Sequence, residues 1–267
     1  MVTPVLDEGA RSALATTRFT DVRWFGEIDS TNRYLLDEAR QGAPAGLVAV
    51  ADHQTAGRGR LGRTWVAPPA ASLLVSVLLR PDLPAGHLHL ASVAVALSMA
   101  DACARRARFE PELKWPNDLM VGERKLAGVL AETDLGRPGT VTPPAVVVGV
   151  GINVNWPAEL PEDLAGRAVA LNHLTGRPVD RSRLLVAMLE ALDARAGQLD
   201  SEEGRRALSS EYRARCATVG REVRVELQDE SFTGVASDVD DHGHLLVQTS
   251  VCLREVTAGD VVHLRPT

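Results

Sequence analysis

The sequence predicts an α+β protein in which a large region of strands and flanking helices precedes a small β-barrel. Two mainly apolar runs, SLLVSVLL at 72–79 and VVVGVGIN at 146–153, are typical of strands buried inside a sheet. After Val219 the pattern changes to short strands separated by Gly or Asp turns, which is typical of a small barrel. We therefore predict two domains, residues 1–218 and 219–267.

The remaining elements follow from cap, turn and breaker residues. Ser30 is a candidate N-cap and Gly42 a candidate stop signal for the first predicted helix. The predicted helices are 30–40, 87–106, 181–198 and 201–215. The predicted strands of the first domain are 22–28, 47–52, 72–79, 112–115, 119–121, 125–132 and 146–153. The predicted strands of the second domain are 223–227, 232–239, 245–248, 253–255 and 261–264.

Composition and charge exclude several classes of protein. The net charge of −6 and the sequence pI near 5.7 argue against broad nucleic-acid binding, which usually needs a basic face. Cys103, Cys216 and Cys252 are widely spaced and contain no CxxC pair, so neither a disulfide framework nor a zinc site is expected. No signal peptide and no charge-free run of about 18 apolar residues is evident. We expect a cytoplasmic protein without membrane partners.

Lysine usage is the most unusual feature of the composition. Of 29 basic residues only Lys114 and Lys125 are lysines, and both lie in the segment KWPNDLMVGERK. A lysine ammonium is a compact point charge with three donors, suited to one phosphate or carboxylate oxygen. Arginine preference can also be a base-composition habit of a genome. The segment 114–125 is therefore the first candidate for chemistry on an anion.

A second candidate anion site is the loop GRGRLGR at 57–63. Its three glycines allow close approach of the backbone to a ligand, and its three arginines supply cations. The spacing matches neither a P-loop nor a dinucleotide-binding fingerprint. A flexible basic surface loop that binds RNA remains the alternative. Trp65 follows directly and could stack on a nucleobase or pack in the core.

Two further segments have both a structural and a functional interpretation. Asn117 and Asp118 follow Pro116, which favours a plain turn, although beside two lysines they could position a nucleotide or its metal. Gly149 and Gly151 interrupt a β-branched run, which indicates either a bulge or the close approach of a ligand or backbone. Both interpretations stay open for each segment.

The histidines predict no metal site, and we assign no metal ligands. His87 and His89 lie two positions apart in a predicted helix, so their side chains diverge. His242 and His244 lie in an Asp-rich turn, for which we expect solvated side chains rather than a ligand set.

Taken together, these segments resemble the biotin protein ligases. The matching motifs occur in the order STN at 30–32, GRGRLGRTW at 57–65, KWPNDL from 114, RKLAG from 124 and GVGIN from 149. The resemblance covers roughly residues 22–265. It implies a catalytic domain resembling class II synthetases, with a mixed or antiparallel sheet and flanking helices, plus a C-terminal SH3-like β-barrel.

The resemblance also implies a reaction and its participants. Biotin would attack the α-phosphorus of MgATP to give biotinyl-5′-adenylate, and a lysine of a biotin carboxyl carrier protein domain would then accept the biotinyl group. Biotin and ATP are the expected substrates, and Mg²⁺ is the expected metal. Two anions must meet, so converging cations suit the reaction. Monomers and weak homodimers are both compatible with the family.

Carried over by motif, the resemblance assigns roles to individual residues. Lys125 and Arg60 are the expected catalytic residues, with Lys125 at the biotin carboxyl and the α-phosphate. The expected biotin-binding residues are Ser30, Thr31, Asn32, Gln54, Gly57, Arg58, Gly59, Arg60, Lys125 and Gly128. The expected adenylate-binding residues are Arg58, Arg60, Arg63, Trp65, Asn117, Asp118, Lys125 and Asn153. The role of Lys114 is left open.

One branch of the family carries an N-terminal winged helix that binds an operator, and the sequence departs from it. Only 29 residues, not enriched in basic side chains, precede Ser30, whereas such a domain needs about 60. We expect a ligase without repressor function, and sequence-specific operator binding in a gel-shift assay would contradict this. The alternatives are a lipoate protein ligase, a nucleic-acid-binding regulator and a bare biotin-binding module.

Overall fold

The larger part of the protein is built on a seven-stranded mixed sheet, as the sequence predicts. The computed structural model describes residues 6–134, 144–162 and 164–264. The strands are β1 (Val22–Ile28), β2 (Val48–Gln54), β3 (Ser72–Leu79), β4 (Glu112–Lys114), β5 (Asp118–Val121), β6 (Arg124–Asp134) and β7 (Ala145–Asn153). They are ordered β1-β2-β3-β7-β6-β5-β4, with β1 and β2 parallel and the other neighbours antiparallel.

Helices cover the sheet on both faces. They are α1 (Glu8–Leu14), α2 (Thr31–Arg40), α3 (His89–Ala107), α4 (Leu171–Thr175), α5 (Arg181–Gln198) and α6 (Glu202–Arg215). All eight residues of β3 are buried, as its apolar run predicts. Leu73, Val75 and Val77 belong to the core that includes α3 and α5, while Leu78 packs with α2. Since strand side chains alternate between faces, Ser76 points to the α2 side of the sheet.

The C-terminal part is a five-stranded antiparallel sheet. Its strands are β8 (Glu222–Glu226), β9 (Ser231–Val239), β10 (Leu245–Gln248), β11 (Leu253–Val256) and β12 (Asp260–His263). They are ordered β11-β10-β9-β8-β12. Within the described residues β11 and β12 do not pair, so this sheet is open and the expected closed SH3-like barrel is not confirmed. Both edge strands have only four residues, and each is bonded to one neighbour.

Helix α3 is the most apolar helix of the larger part. Among the described residues, one helical segment, Ala85–Ala107, is long and apolar enough to cross a membrane, and 67% of its most apolar window is buried inside the protein. α3 packs against α5, α6 and the sheet, which is the environment of a core helix. The segment starts with a 3-10 turn, Ala85–His87, so α3 itself begins at His89, later than the sequence predicts.

Candidate active site

One cleft of about 920 Å³ brings together the residues that the sequence singles out. It lies between the start of α2, the Gly-rich loop, the β5–β6 hairpin and β12 of the C-terminal sheet. All the predicted site residues except Gly57 line it. Gly57 lies at the base of the loop, where an added Cβ would be 2.4 Å from the carbonyl oxygen of Trp65. Its contribution is therefore to the close fold of the loop rather than to the cleft wall.

The start of α2 supplies a polar, buried end of the cleft. Ser30 is the N-cap, and its side chain accepts a hydrogen bond from the Arg33 amide. The Thr31 amide donates to Oε1 of Gln54 at 2.7 Å. Ser30 and Thr31 are each only 3% exposed. Because Oε1 of Gln54 accepts this bond, its Nε2 is the group that can donate to a ligand.

A hydrogen-bonded chain, which the sequence does not reveal, fixes these polar groups. Ser76 Oγ lies 2.6 Å from Oδ1 of Asn32 and 2.7 Å from Oγ1 of Thr31. Asn32 Nδ2 donates to Oε2 of Glu132 at 2.9 Å and to the Leu130 carbonyl at 3.1 Å. Because Oδ1 of Asn32 can only accept, the single Ser76 proton goes to it. The single Thr31 hydroxyl proton then has two acceptors within reach, Oγ of Ser76 at 2.7 Å and Oε1 of Gln54 at 3.0 Å. These hydrogen bonds hold the side chains of Thr31, Asn32 and Ser76 in place at this end of the cleft.

The three arginines of the loop point to three different elements. Arg58 forms an ion pair with Glu132 of β6 at 2.9 Å. Arg60 is half-buried and reaches Oδ1 of Asn117 at 3.5 Å, and burial lowers the pKa of its guanidinium. Arg63 forms an ion pair with Asp260 of β12 in the C-terminal sheet. The loop therefore joins both parts of the protein around the cleft.

Lys125 lies on β6 at the centre of the cleft. Its Nζ is 2.7 Å from Oδ1 of Asp118 and 5.5 Å from the centroid of the Trp65 ring. Gly128 makes this position possible, because a Cβ there would lie 3.1 Å from the lysine Nζ and 3.2 Å from Trp65. The ammonium is thus held at the cleft surface by a carboxylate and by the face of an indole.

The two glycines of β7 allow side chains to approach the strand closely. A Cβ on Gly151 would lie 2.7 Å from Cε2 of Trp65, and one on Gly149 would lie 2.2 Å from Oδ1 of Asn32. The pairing of β7 with β3 and β6 continues without a register shift at both positions, so the bulge interpretation is wrong. Trp65 is half-buried and packs against Gly151. Its Nε1 is buried without a hydrogen-bond partner.

The turn between β4 and β5 is anchored on several sides. The Trp115 amide donates to Oγ1 of Thr218 at 3.0 Å, and its Nε1 donates to the Gly243 carbonyl at 2.9 Å. Asn117 Nδ2 donates to the Val129 carbonyl at 2.7 Å. Lys114 also lines the cleft, and burial lowers the pKa of its ammonium. The turn is therefore more than a plain connection, because it holds Asn117 and Asp118 beside Lys125.

Asn153 supports Lys125 from behind. Its Nδ2 donates to the Val169 carbonyl at 3.1 Å and to the carbonyl of Lys125 itself at 3.5 Å. Its Oδ1 is buried and has no hydrogen-bond partner. One end of this amide therefore fixes the backbone at Lys125, while the other end is an unused acceptor in the cleft wall.

Comparisons with known proteins agree with the geometry. A model of the biotin/lipoate A/B protein ligase family matches residues 24–153, and one of the biotin protein ligase C terminal domain matches 218–264. The chain is 40% identical over 245 residues to the biotin–[acetyl-CoA-carboxylase] ligase of Mycobacterium tuberculosis, covering 90% of this chain and 87% of that one. It is 28% identical to the bifunctional ligase/repressor BirA of Bacillus subtilis, covering 88% and 71%. The solved structure of biotin protein ligase from Aquifex aeolicus in complex with biotin and ATP matches with a TM-score of 0.77 and 30% identity, covering 93% of this chain and all of that one.

Proposed function

The chain belongs to the biotin protein ligase family, and we propose that it attaches biotin to a carrier protein in two steps. In the first step the biotin carboxylate attacks the α-phosphorus of ATP, the bond to the β-phosphate breaks and pyrophosphate leaves. In the second step a lysine amine of a biotin carboxyl carrier protein domain attacks the acyl carbon of biotinyl-5′-adenylate. AMP leaves, and the amine loses its proton as the amide forms.

The observation that carries this proposal is the convergence of cations beside a buried polar pocket. Arg58, Arg60 and Lys125 line the same cleft as the Thr31–Gln54 end. A carboxylate and a triphosphate repel each other, so preorganised cations are the main requirement for bringing them together. Neither step needs a covalent intermediate on the enzyme, so the chemistry requires no protein nucleophile.

We assign the two ends of the cleft to the two halves of the adenylate. The polar end at Ser30, Thr31 and Gln54 would hold the ureido ring of biotin, which presents donors and an acceptor that such groups can pair. Trp65 would stack on adenine. Its unpaired Nε1 would gain a hydrogen-bond partner if the indole moved away from Gly151. Lys125 would lie at the junction, between the carboxyl group and the α-phosphate.

The residues present fit a magnesium ion that is bound together with ATP. Mg²⁺ is commonly held by one or two carboxylates and by substrate phosphates. Asp118 supplies a buried carboxylate oxygen in the cleft, where it is paired with Lys125. When bound, the ion neutralises phosphate charge. A cytoplasmic location, a weak homodimer, the absence of nucleic-acid and membrane partners and SH3-like closure of the C-terminal sheet stay predictions.

Mass spectrometry of carrier domains tests the proposal. The protein is incubated with MgATP and either biotin or lipoate, together with a biotin carboxyl carrier domain and a lipoyl domain. We expect biotinylation of one lysine of the biotin carrier and an unmodified lipoyl domain. Lipoyl transfer without biotinyl transfer would favour a lipoate ligase. Binding of biotin without release of pyrophosphate would favour a bare binding module.

A further inference from the structure

Four of the seven histidines of the chain gather outside the cleft described above. The rings of His87 and His242 lie 5.6 Å apart between centroids, and those of His242 and His244 lie 5.9 Å apart. His89 packs against Gly243, where an added Cβ would lie 2.5 Å from its ring. The cluster lies where the start of α3 meets the β9–β10 turn, at a second cavity of about 320 Å³.

Within this region a histidine lies between two carboxylates. His244 Nδ1 is 3.3 Å from Oδ2 of Asp240 and 2.7 Å from Oε1 of Glu255 on the neighbouring strand β11. The other oxygen of Asp240 is used differently, since its Oδ1 accepts from the amides of His242 and His244 at 2.8 Å each. One carboxylate oxygen therefore shapes the turn, and the second faces the imidazole nitrogen.

We propose that Asp240, His244 and Glu255 form a binding site for a divalent transition-metal ion. The three donor atoms lie within 4.8 Å of one another. A tetrahedral Zn²⁺ ion with bonds of about 2.0–2.2 Å to nitrogen and oxygen needs donors roughly 3.3–3.6 Å apart. The Asp240–His244 pair already has that spacing. Nδ1 of His244 and Oε1 of Glu255 are 2.7 Å apart, so the carboxylate of Glu255, the most exposed of the three residues, has to move by about 0.6–0.9 Å to reach this spacing.

The donor set selects the class of ion. Imidazole with carboxylates suits Zn²⁺ and similar first-row ions, whereas Mg²⁺ and Ca²⁺ prefer oxygen ligands alone. Three protein ligands leave a fourth position for water or for a neighbouring side chain. From the sequence we expected a solvated turn at His242 and His244. The sequence does not show that Glu255, eleven positions beyond His244, lies beside this turn, because the contact depends on the β10–β11 pairing.

The turn that would carry the ion is in contact with the proposed active site. The carbonyl of Gly243, inside this turn, accepts the hydrogen bond from Nε1 of Trp115. Arg213 of α6 holds the same turn through Asp241 at 2.7 Å. A bound ion would therefore stiffen the support on which the β4–β5 turn rests. The site is distinct from that of the nucleotide-bound Mg²⁺, because its ligands do not line the main cleft.

Calorimetric titration of the untagged protein with Zn²⁺ tests the site without biotin or ATP, so its result is independent of the proposed ligase activity. The titration is done in a Cys252→Ser background, because Cys252 is exposed and cysteine thiolates are themselves Zn²⁺ ligands. We expect one equivalent to bind with micromolar or tighter affinity, and Mg²⁺ to give no heat at this site. His244→Ala and Glu255→Gln should each weaken Zn²⁺ binding by about 10-fold or more.

The matched control is His53→Ala. His53 Nδ1 also faces a carboxylate, Oε2 of Glu27 at 3.0 Å, but this pair is not part of a three-donor group among the described residues. The control should bind Zn²⁺ as its parent does. Wild-type affinity in both His244→Ala and Glu255→Gln, or binding weaker than about 100 µM in the parent, would overturn the proposal. Glu255→Gln guards against misfolding, because the exposed side chain changes little in shape.

Discussion

Lys125 lies in the cleft between Gly128 and the ring of Trp65. A Cβ added at Gly128 would lie only 3.1 Å from the lysine Nζ, so glycine is needed there. The Nζ is 5.5 Å from the centroid of the Trp65 ring. A guanidinium is planar and wider than an ammonium and presents its donors as a fixed fork. The ammonium of Lys125 can place its charge at a single carboxylate or phosphate oxygen, which suits the position that we propose for it.

The first prediction concerns Lys125. Lys125→Ala should slow formation of the adenylate by about 100-fold or more, because loss of one preorganised charge contact costs about 3 kcal/mol in such sites. Lys125→Arg should also be impaired, because a guanidinium presents its donors as a fixed fork and not as a compact point charge. Pyrophosphate release in a single turnover measures the effect. Arg124→Ala, which changes the exposed neighbour of Lys125 on β6, is the control and should keep the wild-type rate.

The second prediction concerns Gly151, which lies against the ring of Trp65. Gly151→Ala places a methyl group about 2.7 Å from the Trp65 ring, so the indole has to move. We expect weaker binding of ATP, because Trp65 is the side chain that we propose to stack on adenine, and a smaller effect on biotin, which we place at the Thr31–Gln54 end. Titration calorimetry with each ligand measures this. Gly26→Ala on β1 is the control, since an added Cβ there meets nothing within 4 Å. Unchanged affinities in Gly151→Ala would show that Trp65 does not shape the binding site.

At the scale of elements, two backbone hydrogen bonds close the Gly-rich loop, while its tip is not packed against the rest of the protein. The Gly59 amide donates to the Arg63 carbonyl at 2.6 Å, and the Trp65 amide donates to the Gly57 carbonyl at 3.0 Å. The tip is exposed, and Leu61 has a left-handed φ of 55°. Its outward connections are ion pairs of partly exposed side chains, and such pairs contribute little stability each. The prediction that the loop is mobile without ligand and ordered with the adenylate follows from this arrangement.

The third prediction tests the loop and its connection to β12. Trypsin should cleave after Arg58 and Arg60 in the free protein, and biotin with MgATP should slow this cleavage. Asp260→Asn should increase cleavage of the free protein, because Arg63 loses its partner in the C-terminal sheet. Asp229→Asn, at an exposed position between β8 and β9, is the matched control. Equal cleavage with and without ligands would contradict the ordering of the loop.

Local patterns predict the elements well, whereas contacts between distant segments escape them. β1, β3, β10 and α5 have the predicted bounds, because apolar runs, caps and turns mark them. The helices α1 and α4 were missed, since seven and five residues give little periodicity to detect. Within the site, Ser76 and Asp260 could not be predicted. Ser76 reads as one residue of an apolar strand, and Asp260 meets Arg63 only when the two parts of the protein come together.

At the scale of the whole molecule, a short hydrogen-bonded chain joins the larger part to the C-terminal sheet. Thr218 Oγ1 accepts from the Trp115 amide at 3.0 Å and lies 3.0 Å from Nε2 of His263 on β12. The Thr218 hydroxyl can donate to Nε2 of His263 or accept from it, according to the tautomer of the imidazole. The β4–β5 turn of the proposed active site and the last strand of the C-terminal sheet thus share one threonine.

The fourth prediction is that this junction weakens in mild acid. Burial, followed by the nearby charges of Lys114 and Arg221, lowers the pKa of His263 from 6.5 to about 4. In the unfolded chain the pKa returns to its ordinary value, so between about pH 6.5 and pH 4 the unfolded state binds more protons. The free energy of unfolding should therefore fall as pH decreases through this window and level off below it.

Urea unfolding measured between pH 7 and pH 4 checks this dependence on His263. His263→Gln cannot protonate, and its side-chain amide can donate to or accept from the Thr218 hydroxyl, so stability near pH 7 should be retained while part of the acid sensitivity disappears. Some sensitivity should remain, because burial also lowers the pKa of His89 to about 4. The same loss of stability in the wild type and in His263→Gln would show that the junction does not depend on a neutral imidazole. A smaller loss in the variant would identify protonation of β12 as one route by which acid separates the C-terminal sheet from the proposed active site.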